Sequence, residues 1–161
     1  MDAIRKQLIV LLGPSGVVEA PSISAVGNWR GHPYNSSLLL RPANTEQVAA
    51  ILRLCNQHQQ AIVVHGGLSG MVGGTSSAGD EICLSLERMQ KIESIDKLGR
   101  TMTVESGVRL QEVQEAAAAE DLFFALDLGA RGSATIGGNI ATNAGGNQVI
   151  RYGMAREQVL G

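Results

Sequence analysis

The run GSATIGGNIATNAGG, Gly132 to Gly146, limits most strongly what this chain can fold into: five of its fifteen residues are glycine and none is charged or aromatic. Backbone so poor in side chains cannot build a core of its own. It can serve as slack, since Gly and Ser make flexible linkers. Alternatively it can let other groups approach closely and offer them bare N–H donors. Thr135, Ile136, Asn139, Ile140 and Thr142 interrupt the glycines, and a solvated linker does not repeat such residues. The chain holds 20 glycines in all, where average usage near 7% would give about eleven. They gather in this stretch and in HGGLSGMVGG, so each cluster needs a local explanation.

At 161 residues the chain can bury one core, and length alone predicts a single domain. With 44% hydrophobic residues, 17% charged residues and a net charge of −2, it reads as a soluble globular protein with no electrostatic footprint for nucleic acid. Cys55 and Cys83 sit among apolar neighbours with no second cysteine at metal or redox spacing. Both are expected to be buried, reduced thiols, which points to a reducing, cytoplasmic setting. The apolar run LIVLL near the N-terminus is followed by GPSG and is shorter than the roughly 7–15 residues of a signal peptide. An amphipathic helix over Asp2–Leu12 is expected instead. No segment reaches membrane-spanning length.

Along the chain, a polar, turn-rich stretch runs from Gly27 to Ser37, and LLLRP then predicts a short strand ending at Pro42. Asn44 can cap a helix, with Gln47 three residues on and Val48, Ile51, Leu52 and Cys55 on one face, ending near Gln60. AIVV, Ala61 to Val64, predicts a buried strand, which completes a βαβ unit. A further strand is expected over Ile82–Leu86. KIESID and TMTVESG alternate as a half-buried hairpin with its turn at KLGR. A helix from about Arg109 to Glu120 follows. Strands and helices mix without strict alternation, so the class is α+β.

HGGLSGMVGG begins where a predicted strand ends, a usual place for ligands in mixed sheets. Successive N–H groups there can form a concave nest for an anion, a pyrophosphate being the usual occupant. The common nucleotide motifs fail: Leu68 or Ser69 spoils each register of G-x-G-x-x-G, and no Gly-Lys pair forms a P-loop. Taken alone this loop could be a structural turn. Two such loops suit a dinucleotide, one for its pyrophosphate and one lining its ring. Arg131, at the edge of the second, is the nearest basic side chain, so N–H dipoles would meet most of the negative charge.

Four segments in order, VVHGGLSGMVGG, ICLSLERMQKI, VESGVRLQEVQEAA and LFFALDLGARGSATIGGNIATNAGGNQVIRYGM, resemble motifs of the FAD-binding (PCMH-type) domain of the vanillyl-alcohol-oxidase-type flavoproteins. Within that group they most resemble the D-2-hydroxyglutarate and D-lactate dehydrogenase branch. The resemblance covers roughly Ser37 to Gly161. It implies two α+β subdomains with FAD between them, the second incomplete here. The expected divisions are residues 1–36 as an N-terminal helix and extended segment, 37–98 as the first subdomain and 99–161 as the start of the second. It also implies hydride abstraction from a D-2-hydroxy acid by the flavin.

Carried over by position, the resemblance implies that Gly66, Gly67, Leu68, Ser69 and Gly70 form the pyrophosphate loop. Gly132, Ser133, Thr135, Gly137, Gly138 and Asn139 would line the pyrophosphate and ribityl chain. Thr142, Asn143, Gly145 and Gly146 would lie toward the flavin, with Ile136 and Ile140 anchoring the element beneath. The sequence departs from the branch at His65, Leu68 and Ala125. Ser69 stands where members that tether FAD often place a His, so non-covalent FAD is expected.

No catalytic residue and no metal ligand set is assigned within the chain. His65 abuts the first loop, and a strand-end His bonded to a carbonyl is its simpler reading. Asp127 and Arg131 read as a local ion pair or turn cap, Arg151 and Tyr152 as packing, and His32 and His58 as polar surface. Relatives in the branch continue further, adding a substrate domain with the catalytic histidines and a divalent metal site. The chain is therefore expected to be an N-terminal fragment or a gene truncated after the cofactor motifs. Its expected partners are a small 2-hydroxy acid bound through that further domain and an electron acceptor, and a homodimer is compatible with the sequence. The alternative is a non-catalytic nucleotide-binding or subunit-interaction module.

Overall fold

Apolar residues at helical spacing begin the fold. The helix α1 (Asp2–Leu12) buries Ile4, Leu8 and Leu12 along one stripe while Val10 is exposed. The computed structural model describes residues 2–19 and 36–161; the expected turns from Gly27 onward, with His32, lie outside the described residues up to residue 35. Pro14 opens a 3-10 turn over Pro14–Gly16, which leads into β1 (Val17–Glu19). The described residues fall into two compact units. One holds the chain up to His65 together with Met71–Arg88, the other Gly66–Gly70 with Met89–Gly161.

In the first unit β2 (Leu38–Leu40) is wholly buried and leads to α2 (Thr45–Gln57). Asn44 Oδ1 accepts from the Gln47 amide at 2.9 Å, and Gln47 Oε1 accepts from the Ala43 amide at 2.7 Å. The first bond satisfies a donor that the helix start leaves unpaired, and the second ties the residue before the cap to the first turn. Ile51 and Cys55 form the buried face. β3 (Ile62–His65) and β4 (Ile82–Ser85) complete a sheet of order β1-β2-β4-β3, with β2 and β3 both parallel to β4. The expected β2–α2–β3 crossover is present, and β4 is inserted between its strands. Leu8, Leu40, Ile51 and Leu84 form the centre of this unit's core. Here β3 differs from the fully buried strand expected of it: it lies at the sheet edge, and Val64 is 50% exposed.

The second unit opens with a hairpin, β5 (Ile92–Asp96) and β6 (Thr101–Val104), in antiparallel register. Asp96 Oδ1 accepts from the amides of Leu98 and Gly99, both at 2.9 Å, which fixes its turn. The continuous part of this unit runs from Met89, and β5 pairs with β6 alone. The helix α3 (Leu110–Ala119) buries Leu110, Val113 and Ala117. The short helices α4 (Ile136–Ala141) and α5 (Val149–Tyr152) and a 3-10 turn over Ala155–Gln158 follow. Leu110, Leu126 and Ala155 centre its core, with Phe124, Leu128 and Ile136 against them.

Candidate cofactor-binding site

The glycine-rich run starts in a turn, where the Ser133 and Ala134 amides donate to Ala130 O, and Thr135 then pairs with Arg109 at the entry to α3. Leu110 N donates to Ala134 O at 2.9 Å, Ile136 N to Val108 O at 2.9 Å and Gly137 N to Ser106 O at 2.8 Å. It then turns into α4 at Thr135. Gly66–Gly70 belongs to the same unit, so both glycine loops meet there.

Their meeting explains part of the glycine content. A Cβ on Gly67 would overlap the Ser133 carbonyl, and one on Gly146 would overlap the Asp127 carbonyl. These two glycines serve the approach of protein backbone to protein backbone. Ligand approach was the reason expected for them. A Cβ on Gly137 would likewise crowd Ser106, at 2.7 Å from its Cβ, but the space is open at two others: a Cβ on Gly70 meets nothing within 4 Å, and one on Gly138 meets only Thr135 Oγ1 at 3.3 Å. Thr135 Oγ1 also lies 2.5 Å from the Cβ position of Gly66, so this hydroxyl faces both loops.

Two polar groups at this place are buried without a partner. Thr135 is 7% exposed and Asn139 5%, and neither Thr135 Oγ1 nor Asn139 Nδ2 has a hydrogen bond among the described residues. An unpaired buried polar group costs about 1–3 kcal/mol, so this pair calls for a partner from outside the fold, water or ligand. The amides of Gly67, Leu68, Ser69, Gly70 and Gly138 likewise donate to no acceptor among the described residues. Leu68 holds φ +56°, a left-handed conformation that strains a leucine. Clustered N–H donors with a hydroxyl and a carboxamide form a cradle for an anionic, hydrogen-bonding ligand.

The remaining predicted residues divide by what their side chains do. Gly132 and Ser133 are exposed at the rim, and Ser133 Oγ donates to Ala130 O at 3.2 Å. Thr142 Oγ1 donates back to Gly138 O at 2.9 Å. Asn143, at φ +48°, accepts from the Arg156 amide at 3.1 Å. Both side chains are thus engaged within the fold, and their turn offers a ligand its backbone and shape. Gly145 packs beside Val149.

Asp127 and Arg131 form the expected ion pair, Arg131 Nη1 to Asp127 Oδ1 at 2.8 Å. Arg131, with Gln114 and Asn147, holds the Asp127 carboxyl below the usual range, burial acting the other way. Asn147 N donates to Asp127 O at 3.2 Å, so this residue ties down the end of the run. Arg151 lies 5.2 Å from the Tyr152 ring centroid, and Phe123 stacks at a tilt on the same ring.

In the first unit His65 is 3% exposed and its Nε2 donates to Thr75 O at 3.2 Å, the simpler of its two expected roles. Burial pushes its pKa down, opposed by the Thr75 bond. Cys55 and Cys83 are buried free thiols. Sequence reasoning missed Arg156, whose guanidinium binds the carbonyls ending α4; only a basic residue after a predicted helix could have signalled it.

A mixed α+β unit with two glycine loops and a cradle of unpaired donors defines a nucleotide-cofactor domain, and comparison with known proteins says which. Residues 36–161 match the FAD binding domain family, to which the chain belongs. It is similar to D-2-hydroxyglutarate dehydrogenase of Xanthomonas citri pv. viticola, at 44% identity over 83% of this chain and 28% of that protein. It is also 42% identical to mitochondrial D-2-hydroxyglutarate dehydrogenase of Danio rerio, over 79% of this chain and 24% of that one. The fold superposes on alkyldihydroxyacetonephosphate synthase with a TM-score of 0.87, at 20% identity, over 99% of this chain and 32% of that chain. It is the fold of the vanillyl-alcohol-oxidase-type flavoproteins. The chain spans about a quarter to a third of the curated relatives' length, 28% for the Xanthomonas protein and 24% for the Danio protein.

FAD is the cofactor, and the residues present fit it. The orphaned Thr135 hydroxyl and Asn139 carboxamide, with the free amides of Gly67–Gly70, suit a pyrophosphate, and the open space at Gly70 and Gly138 admits one. Among the described residues no helix is long and apolar enough to cross a membrane.

Proposed function

We propose that this chain is the FAD-holding part of a dehydrogenase that oxidises a D-2-hydroxy acid, of the D-lactate or D-2-hydroxyglutarate type, to the 2-oxo acid. The observation that carries it is 44% identity to a protein named D-2-hydroxyglutarate dehydrogenase in a chain whose glycine loops form a donor cradle. When bound, FAD supplies the acceptor for the hydride from the substrate's C2. The chain's own part is to bind and orient. Gly67–Gly70 offer N–H donors, Thr135 and Asn139 add side-chain donors, and Asp127 fixes the end of the second loop.

The flavin is held without a covalent bond. Between Gly66 and Gly70 the only side-chain heteroatom is the Ser69 hydroxyl, a weak nucleophile, and the nearest imidazole, His65, is buried with its Nε2 bonded to Thr75 O. The buried free thiols of Cys55 and Cys83 support a reducing, cytoplasmic setting. An electron acceptor reoxidises the flavin in this reading. A homodimer is part of it too, supported by the exposed apolar side chains of Phe123 and Ile150.

The test is anaerobic mixing of the full-length, FAD-loaded protein with D-lactate, D-2-hydroxyglutarate and their L-enantiomers. Bleaching of the flavin band by at least one D-acid and by neither L-acid is expected. Absence of bleaching by both D-acids overturns the proposal.

A further inference from the structure

By its own sequence α4 is a poor helix. IGGNIA is six residues long and two are glycine, each costing about 1 kcal/mol against alanine, and a segment this short does not hold a helix alone. Yet Asn139 and its capping residue Thr135 carry the two orphaned donors of the cradle. Something outside must hold α4. At its start the amides of Ile136 and Gly137 are tied to Val108 and Ser106.

At its end Asn143 takes a left-handed conformation. Ala144 N then donates to Asn139 O at 2.7 Å and Asn143 N to Ile140 O at 3.1 Å, the bonds of a Schellman turn. That turn leaves the Ala141 carbonyl without a backbone partner. Arg156 completes it. Its Nη2 donates to Ala141 O at 2.7 Å, its Nε to Ile140 O at 2.8 Å, and its own amide to Asn143 Oδ1 at 3.1 Å. The adjoining Ala155, 3% exposed, donates its amide to Ala144 O at 2.9 Å and so seats this arm in the core. A cation at the carbonyl end of a helix is electrostatically favoured, and the planar guanidinium fork meets two neighbouring carbonyls from fixed positions.

We infer that Arg156 is a positioning residue of the cofactor site: it locks the carbonyl end of α4 and so keeps Thr135 and Asn139 aimed at FAD. This rests on the FAD assignment and deepens it. The experiment is FAD titration of the flavin-stripped, full-length protein, read by quenching of flavin fluorescence. Arg156→Ala, Arg156→Lys and, as a surface control, Lys97→Ala are compared with wild type; Lys97 pairs with Glu120 at 2.8 Å.

Losing two charge-assisted hydrogen bonds should weaken FAD binding by about tenfold to a hundredfold in Arg156→Ala. Arg156→Lys should recover part of the loss, because an ammonium keeps the charge at the helix end without the fixed fork geometry. Millimolar guanidinium should restore Arg156→Ala toward wild type and leave Lys97→Ala unmoved, which a merely stabilising side chain does not predict. Wild-type affinity in Arg156→Ala, or a loss that neither lysine nor guanidinium repairs, overturns the inference and leaves the FAD assignment standing. If Arg156→Ala does not fold, wild-type affinity in Arg156→Lys overturns it. A wild-type protein that takes up no FAD overturns the assignment itself.

Discussion

Gly67 and Ser133 stand so close that a Cβ on the first would overlap the carbonyl of the second. Gly67→Ala must therefore push the two loops apart. A loss of about 1–3 kcal/mol of stability is expected, together with loss of FAD, whereas Gly70→Ala, which meets open space, should stay within about 0.5 kcal/mol. Thermal melting with flavin content per chain checks this; equal behaviour of the two variants would contradict the packing.

Gly138 tests charge separately from space. A Cβ there meets only Thr135 Oγ1, at 3.3 Å, so Gly138→Ala should keep FAD with modest weakening. Gly138→Asp adds a carboxylate beside a dianionic pyrophosphate. Two unit charges about 4 Å apart repel by roughly 4 kcal/mol at an effective dielectric near 20, a loss of about a thousandfold. Wild-type flavin occupancy in Gly138→Asp, with circular dichroism unchanged, would remove Gly138 from the site.

What the sequence made legible was what local chemistry decides. Asn44 with Gln47 marked the start of α2, and the alternation in KIESID and TMTVESG marked β5 and β6. The ends of helices were less sharp because no glycine signals them. α2, α3 and α4 each close through a left-handed residue of another type, Gln59, Asp121 and Asn143. The edge position of β3 depends on β4 inserting beside it, a pairing that the run AIVV cannot encode. In the site, the glycines were visible and their reasons were not: only the folded chain separates Gly67 and Gly146, which face backbone, from Gly70 and Gly138, which face space. Arg156 escaped because its partners lie 15 and 16 residues away and are carbonyls, which carry no sequence signal.

Ser69 fixes the expected state of the flavin. Acid precipitation of the yellow, full-length protein should release all of it to the supernatant. Flavin fluorescence that stays with the polypeptide band after denaturing electrophoresis would show a covalent bond and contradict the reading of this loop.

His65 gives a pH dependence with a definite sign. Burial lowers its pKa from the ordinary 6.5, so the folded state favours the neutral ring and the unfolded chain takes up the proton first. Its stabilising contribution is full above about pH 6.5 and is lost as the pH falls through the folded-state value. Denaturant unfolding at about pH 8 and about pH 5.5 should show a larger acid loss for wild type than for His65→Gln. An equal loss in both would mean that the buried ring does not titrate with unfolding.

Thr135 Oγ1 and Asn139 Nδ2, the two orphaned donors, are the atoms that a bound FAD must meet. Their distances to the cofactor in a crystal structure of the FAD-loaded, full-length protein are the deciding measurement. Each should lie within about 2.7–3.2 Å of an FAD oxygen or nitrogen. FAD bound away from both atoms, with each turned instead to a partner in the protein, would contradict the assignment of this cradle.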